Sequence, residues 1–369
     1  MTGSRRRFRL LLSCLICVPL LGACGIHGLH LVPSPLFKYF EMKSGNITYV
    51  GSDGNVFIAD QMGNSVRVTR DGQSGVNATV TYGWPTWSPN GKELLFLREV
   101  TGNQGASDAS QLYVVNVETG KLRRVFSSAI LQPFYFNWAP DSRRIAVLSS
   151  SNDGELLDLG VLSSASNDSY RPLDAGSPYY WVWSRNSDAI IAHDDFEGRY
   201  GGNLSFIPVN DPAKRTTIQP PLALFEAPEA LAGDRAIVAL QTSRGGSLFQ
   251  RTGQIAIITP SGTTTPIVSS ARIVFFALSP NRKEIAYLEP GLKAGSVSNV
   301  LRVAPLDAPA TGYSLDKGLI ICYFWAPDSR EIAYFTTDMS KRPLDPVYAQ
   351  GSNLPKVDLR VLDVRTRAS

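Results

Sequence analysis

Past its first two dozen residues, the chain places its apolar positions in short runs rich in Val, Ile, Leu, Phe and Tyr, each closed by a cluster of Pro, Asn, Asp, Gly or Ser. No stretch there sustains the 3.6-residue period of an amphipathic helix, so the pattern predicts short strands joined by turns. One run recurs as a phrase. Trp87 opens WSPNGKELLFL, Trp138 opens WAPDSRRIAVL, Trp183 opens WSRNSDAIIAH, Leu278 opens LSPNRKEIAYL and Trp325 opens WAPDSREIAYF. Two weaker copies keep the register, FEMKSGNITYV from Phe40 and ALAGDRAIVAL from Ala230. The starts at 40, 87, 138, 183, 230, 278 and 325 are 45 to 51 residues apart. In the second copy the phrase predicts a strand ending at Trp87, a turn at Pro89-Asn90-Gly91, a strand from Glu93 to Arg98, another from Gln111 to Val117, a turn at Glu118-Thr119-Gly120 and a strand from Lys121 to Phe126. Pro, Asn, Asp and Gly stand where a preset or positive φ is required. Four antiparallel strands at a period of roughly 40 to 50 residues are the arithmetic of a propeller blade. The expected fold is all-β: a β-propeller of four-stranded antiparallel blades over residues 37–369, seven blades by the count of copies, with six as the alternative.

The W-[SA]-P-[DN]-x-[RK]-x-I-A phrase resembles the TolB-like, WD-repeat-like propeller repeat of bacterial envelope proteins. It is close at Trp87, Trp138 and Trp325, altered at Trp183 and Leu278, and kept only in register at Phe40 and Ala230. The propeller of prolyl-oligopeptidase-like enzymes is similar too. TolB carries a small α/β domain ahead of its propeller, whereas here Gly25 to Tyr39 precedes the first copy. The first and last blades are expected to share a sheet so that no edge stays unpaired, with Leu29 to Val32 as the completing strand.

Residues 1–23 read as a signal peptide, with a basic start followed by an apolar run from Leu10 to Leu21. Leu21-Gly22-Ala23-Cys24 resembles the bacterial lipobox, which implies acylation of Cys24 and a lipidated tether over residues 24–36. Ser4-Arg5-Arg6-Arg7-Phe8 resembles a twin-arginine signal, but the greasy run after it favours Sec export. The expected location is therefore the bacterial cell membrane, lipid-anchored on the extracytoplasmic, periplasmic side. Of the four cysteines, Cys14 and Cys17 leave with the leader and Cys24 carries lipid, so Cys322 has no intrachain partner and reads as an inert thiol.

Lys+Arg 36 against Asp+Glu 32 gives a formal charge of +4, and four of those cations (Arg5, Arg6, Arg7 and Arg9) lie in the leader, so the remainder is neutral. A neutral body has no global field for nucleic acid, and none is expected as a partner. No cofactor and no metal site are expected either. Past the leader the histidines are His27, His30 and His193, and no G-x-S-x-G, H-E-x-x-H, EF-hand or phosphate-cradling glycine loop is present. His193 stands where the other copies have Leu97, Leu148, Leu240, Leu288 and Phe335, and Asp194 and Asp195 follow it. A lone histidine beside carboxylates is a weak metal or acid-base signal. The aromatic residues before each phrase (Tyr82, Trp84; Phe134, Tyr135, Phe136; Tyr179, Tyr180, Trp181; Phe275, Phe276; Tyr323, Phe324) suit stacking on a ligand, but sheet packing asks for them as core.

Loop length carries more. The turn between the first and second strands is short in nearly every copy, whereas the connections between second and third strands, and between blades, vary widely and leave by one face. Recognition is expected on that face. Phe196, Arg199, Tyr200, Arg244, Phe249, Arg251, Lys341, Arg342 and Tyr348 supply there the aromatic and arginine character of interface hot spots. The function expected from sequence is a non-catalytic, membrane-anchored propeller binding a protein partner in an envelope complex. The alternative is a propeller enzyme, or a carbohydrate- or peptide-binding module, acting at the channel mouth.

Overall fold

The computed structural model describes residues 46–60, 62–101, 109–151, 156–167, 169–177, 179–194, 202–222, 227–241, 253–270, 275–290, 298–337 and 357–366. Within these, every element is a strand except two three-residue 3-10 turns, Pro212–Lys214 and Pro309–Thr311. The chain divides into two compact units, residues 40–237 with 258–263, and residues 238–257 with 264–369, each taken over its described part. The expected leader, tether and closing strand at Leu29 to Val32 lie outside the described residues.

In the first unit β1 (Ile47–Val50), β2 (Val56–Ala59) and β3 (Ser65–Arg67) form a three-stranded sheet. Three four-stranded sheets follow: β4 (Val80–Trp87) to β7 (Leu122–Ser128) through β5 (Glu93–Val100) and β6 (Ala109–Asn116); β8 (Leu131–Trp138) to β11 (Arg171–Gly176) through β9 (Arg144–Ser151) and β10 (Leu157–Ser163); and β12 (Tyr180–Trp183) to β15 (Thr216–Ile218) through β13 (Ala189–Asp194) and β14 (Asn203–Pro208). All pair antiparallel in sequence order, which is the blade architecture of a β-propeller. The boundary between units falls within a further four-stranded sheet, β16 (Glu229–Leu231), β17 (Arg235–Gln241), β18 (Gly253–Ile258) and β19 (Thr264–Ser270). The second unit holds a six-stranded sheet of β20 (Phe275–Leu278), β21 (Glu284–Pro290), β22 (Asn299–Pro305), β23 (Tyr313–Trp325), β24 (Glu331–Thr337) and β25 (Val357–Asp363).

Six sheets match the alternative count rather than the count of seven. The difference arises at β23. Its first half pairs with β22 and its second half with β24, so the outer strand of the Leu278 copy runs straight into the first strand of the Trp325 copy. One sheet thereby carries two copies.

The phrase folds alike in the copies opened by Trp87, Trp138, Trp183, Leu278 and Trp325, where its first residue pairs with its eighth. Its second residue starts a tight turn, as where Gly91 N–H donates to Ser88 O at 2.8 Å and Ser88 N–H to Glu93 O at 2.8 Å. The Asn90 carboxamide caps that turn, accepting from Ser88 Oγ at 2.8 Å and Lys92 N–H at 3.0 Å. In the six described copies the fifth residue sits in the left-handed region: Gly91 (φ 72), Ser142 (φ 60), Ser187 (φ 64), Asp234 (φ 51), Arg282 (φ 60) and Ser329 (φ 63). The faint Ala230 copy differs in detail, since Gly233 before Asp234 is also at positive φ (72) and Ala230 pairs with Ala236, one residue tighter than in the other copies.

Only one of the six is glycine, and the serines have a second use. Ser142 Oγ accepts the Asn90 N–H at 3.0 Å, Ser187 Oγ the Asp141 N–H at 2.9 Å and Ser329 Oγ the Asn281 N–H at 2.9 Å, each reaching the turn of the preceding sequence copy. The tryptophans do likewise. Trp138 Nε1 donates to Thr86 O at 3.1 Å, Trp183 Nε1 to Asn137 O at 3.3 Å and Trp325 Nε1 to Ala277 O at 3.2 Å. Between these joints lies apolar core. Leu95, Leu112 and Val125 meet Phe136, Trp138 and Val147 at one face-to-face contact, and Leu148 and Leu159 meet Trp181, Trp183 and Ile190 at the next.

Replacing Ser142 tests the joint. Ser142→Ala removes the acceptor for Asn90 N–H while keeping a Cβ at positive φ, and is expected to cost about 1 kcal/mol. Ser142→Gly loses the same bond but relieves the backbone, so its urea midpoint should fall between those of Ser142→Ala and the native chain. Equal midpoints for alanine and native would remove the role assigned to Oγ.

Candidate functional site

A polar cluster lies at the sheet end opposite the phrase turns. There β13 finishes at Asp194, β14 begins at Asn203, β15 runs out toward Gln219, and β11 of the preceding sheet approaches with Asp174. Alternation puts Asp194, Asn203, Ser205, Thr217 and Arg215 on the face of their sheet that meets β11. Arg215 Nη1 donates to Asp174 Oδ1 at 2.6 Å, and Tyr179 Oη donates to Asp174 Oδ2 at 2.9 Å. Arg215 also reaches Thr217 Oγ1 and Ser205 Oγ, both at 3.4 Å, and those two hydroxyls lie 3.1 Å apart.

Asp194 stands beside this saturated group and is itself incompletely satisfied. It is 3% exposed. Asn203 Nδ2 donates to its Oδ1 at 3.2 Å, and Gln219 Nε2 holds Asn203 Oδ1 at 3.0 Å, but its Oδ2 is buried without a hydrogen-bond partner. Burial, with the Asp174 carboxylate adding to it, raises the Asp194 pKa to about 6 against the donation from Asn203. Burial and Asp174 likewise push the Tyr179 phenol far up, so it stays a neutral donor. Asp174, Asp194 and Arg215 together leave one negative charge in excess. Gly202 closes the site in the left-handed region (φ +63), where a Cβ would fall 2.8 Å from Asp194 O and 3.1 Å from His193 Nε2.

His193 and Asp194 were adjacent candidates in the sequence, and β13 separates them onto opposite faces of the sheet. His193 is buried opposite Tyr180, with ring centroids 6.2 Å apart. No group of three or more metal-ligating side chains is present among the described residues. Asp174, Tyr179 and Arg215 were missed as a group because they lie outside the repeated phrase, Asp174 on β11 and the other two just ahead of β12 and β15. A signal for Asp194 did exist: the position after the apolar run of the phrase reads Arg98, Ser149, Asp194, Gln241, Glu289 and Thr336, polar in six of the seven copies, with Gly51 in the first.

The loop residues expected to bind a partner, Phe196, Arg199, Tyr200, Arg244, Phe249, Arg251, Lys341, Arg342 and Tyr348, all lie outside the described residues, as does Cys24. Cys322 is a half-buried free thiol with its pKa raised by burial. The aromatic series is core, as packing asked: Phe136, Tyr179, Trp181, Phe275, Phe276 and Tyr323 are buried and the others half-buried, except Trp84.

No family model matches the chain. A 92-residue stretch, 24% of the chain, is 33% identical to a protein of Bacillus subtilis described as the uncharacterized peptidase YuxL, and spans 12% of that protein's length. Among solved structures, a prolyl endopeptidase superposes with a TM-score of 0.58 at 11% identity, over 97% of this chain and 56% of that one. The propeller domain of the Trilobed protease from Pyrococcus furiosus gives 0.51 at 14% identity, over 86% of this chain and 92% of that one. TolB from Acinetobacter baumannii is also similar, at 0.41 and 16% identity. The fold is thus a β-propeller, as the sheet order already indicated. The expectation of a non-catalytic docking subunit is corrected by the same comparisons, because the sequence relative is a peptidase and the propellers that superpose best here come from peptidases and proteases.

The buried carboxylate sets a pH dependence. With its folded pKa near 6 and an unperturbed value of 3.8, Asp194 holds its proton more tightly in the folded than in the unfolded chain. Its contribution to stability therefore falls as pH rises through the window from 4 to 6 and is flat above it. Asp194→Asn should accordingly match the native chain near pH 4 and exceed it above pH 6 by an amount on the order of 2 kcal/mol, read as a difference in urea midpoints. A variant less stable than the native chain at pH 7 would show that Asp194 is satisfied as an anion.

Proposed function

We propose that this chain is a peptide-recognising β-propeller of the peptidase kind, which receives peptide at the sheet ends where the long connections leave. The observation that carries this is the 33% identity to a peptidase over 92 residues, and the prolyl endopeptidase likeness agrees with it. The chain spans 12% of the length of that relative and 56% of that structure, so recognition rather than bond cleavage is the part assigned to the described residues. The polar cluster supports the choice of ligand. One surplus negative charge sits in a low-dielectric slot at that end, where it is poorly screened and favours a cationic group such as a peptide amino terminus or a basic side chain.

Binding of short dye-labelled peptides, followed by fluorescence anisotropy at pH 7.5, tests the reading. Peptides with a free amino terminus should bind several-fold more tightly than their acetylated forms, and Asp194→Asn should erase most of that difference while raising stability. Absence of binding by every peptide of a mixed panel would overturn it.

The same proposal places the propeller on the outer side of a bacterial membrane through an acyl group on Cys24, supported by the Leu21-Gly22-Ala23-Cys24 match. Cys24→Ala should shift the protein from the membrane pellet to the soluble fraction after cell fractionation. An unchanged distribution would remove the anchor.

A further inference from the structure

The first strands of three blades carry a β-bulge just ahead of the phrase: at Trp84-Pro85 in β4, opposite Phe96, at Phe134 in β8 and at Ile321 in β23. Phe134 is half-buried and packs against the core. Trp84 does the reverse. It is 43% exposed, and its φ of 54 is in the left-handed region, an outlier for a bulky residue. Proline at 85 adds to the cost, since the residue before a proline prefers extended backbone. Its neighbours show that burial was available: Tyr82 packs edge-on against Phe96 with centroids 5.6 Å apart, and Trp87 is buried. Thr86 Oγ1 donates to Trp84 O at 3.1 Å and holds the kink. Beside the indole, an added Cβ on Gly83 would meet nothing within 4 Å, so the bulge opens onto free space.

A strained backbone that turns a tryptophan outward beside an opening has the character of a binding site rather than a packing solution. The strand edge itself offers little there, because Pro85 has no N–H, Thr86 Oγ1 holds Trp84 O and Trp138 Nε1 holds Thr86 O, so the indole is the feature left to meet a ligand. We infer that Trp84 is a recognition residue, a platform on which a ring-bearing apolar side chain of a peptide, proline or an aromatic, stacks. The inference rests on the peptide-recognition reading and names a subsite for it distinct from the Asp194 cluster.

The six tryptophans make the test direct, because Trp87, Trp138, Trp181 and Trp183 are buried and Trp325 is half-buried, leaving Trp84 as the one exposed indole. Iodide quenching of the intact protein should report Trp84 first. N-acetyl-phenylalaninamide and N-acetyl-prolinamide should protect it from iodide, and N-acetyl-glycinamide should not. Peptides carrying Phe or Pro should bind Trp84→Gly about five- to tenfold more weakly than the native chain, with Trp84→Phe close to native. Trp84→Gly should keep or raise the urea midpoint, since glycine relieves the backbone; a clear loss of stability would make Trp84 a packing residue and overturn the inference. Absence of protection by either amide overturns it too. Peptides that bind the native chain and Trp84→Gly equally leave peptide recognition standing and remove Trp84 from it. Protection by the amides without binding by any peptide does the opposite, sustaining the aromatic subsite and ending the peptide reading.

Discussion

The hydrogen bonds from Trp138, Trp183 and Trp325 to the backbone of the copy before each are the constraint on which the stacking of those copies depends. Strand pairing joins residues within a sheet and stops at its edges, and the apolar packing between sheets is non-directional. Packing alone would let neighbouring sheets slide. Trp138 Nε1 on Thr86 O, Trp183 Nε1 on Asn137 O and Trp325 Nε1 on Ala277 O each fix one register, always on the residue just before the phrase of the preceding copy. The serine at positive φ adds a second directional bond at the same end. Both atoms belong to one turn, so the phrase is a joint between sheets as much as a strand start.

With the phrase end of these copies held by such joints, the other end is released from the repeat. Three contacts there use a tyrosine and an arginine on one aspartate: Tyr82 and Arg98 on Asp71, Tyr179 and Arg215 on Asp174, and Tyr334 and Arg360 on Asp316. The set is common but its members come from different strands. In the first, Arg98 occupies the position that follows the apolar run. In the second, that position holds Asp194, so the guanidinium comes instead from Arg215, between the Pro212–Lys214 turn and β15. Exchanging a cation for an anion at this register is what leaves surplus negative charge and an unpartnered buried oxygen. The site is a variation on a structural clasp rather than an addition to the fold.

How much of this was legible in the sequence follows from which interactions are local. The strands of the Trp87 copy and its turns were readable because side-chain alternation and turn chemistry act within a few residues, and β5, β6 and β7 start and stop within two residues of expectation. The number of sheets was not, because β23 passes Asp316-Lys317-Gly318 as continuous strand where a turn between copies would have been assumed. Asp194 drew notice only through His193, its neighbour in sequence but not in space. Asp174, Tyr179 and Arg215 converge from positions up to 41 residues apart, with no period to reveal them. The docking-subunit reading leaned on loop lengths and on missing catalytic motifs, and neither distinguishes a docking propeller from one of the peptidase kind.

Trp84 and Asp194 break local rules in opposite ways, one an apolar ring exposed on strained backbone, the other a carboxylate buried without its full set of donors. A fold whose cohesion were spread evenly would have to compensate for both within their own sheets. Here the joints sit at the turn end of each sheet, and β13 carries Asp194 about 17 Å away from its turn. The Trp84 bulge is closer, but Trp87 and the Thr86 carbonyl restore the register three residues on. Each departure is therefore bounded by a bond that belongs to the repeat. That arrangement lets one blade differ chemically from the next without disturbing how the sheets stack, which is what a scaffold needs if recognition is to be written into single positions rather than into the fold.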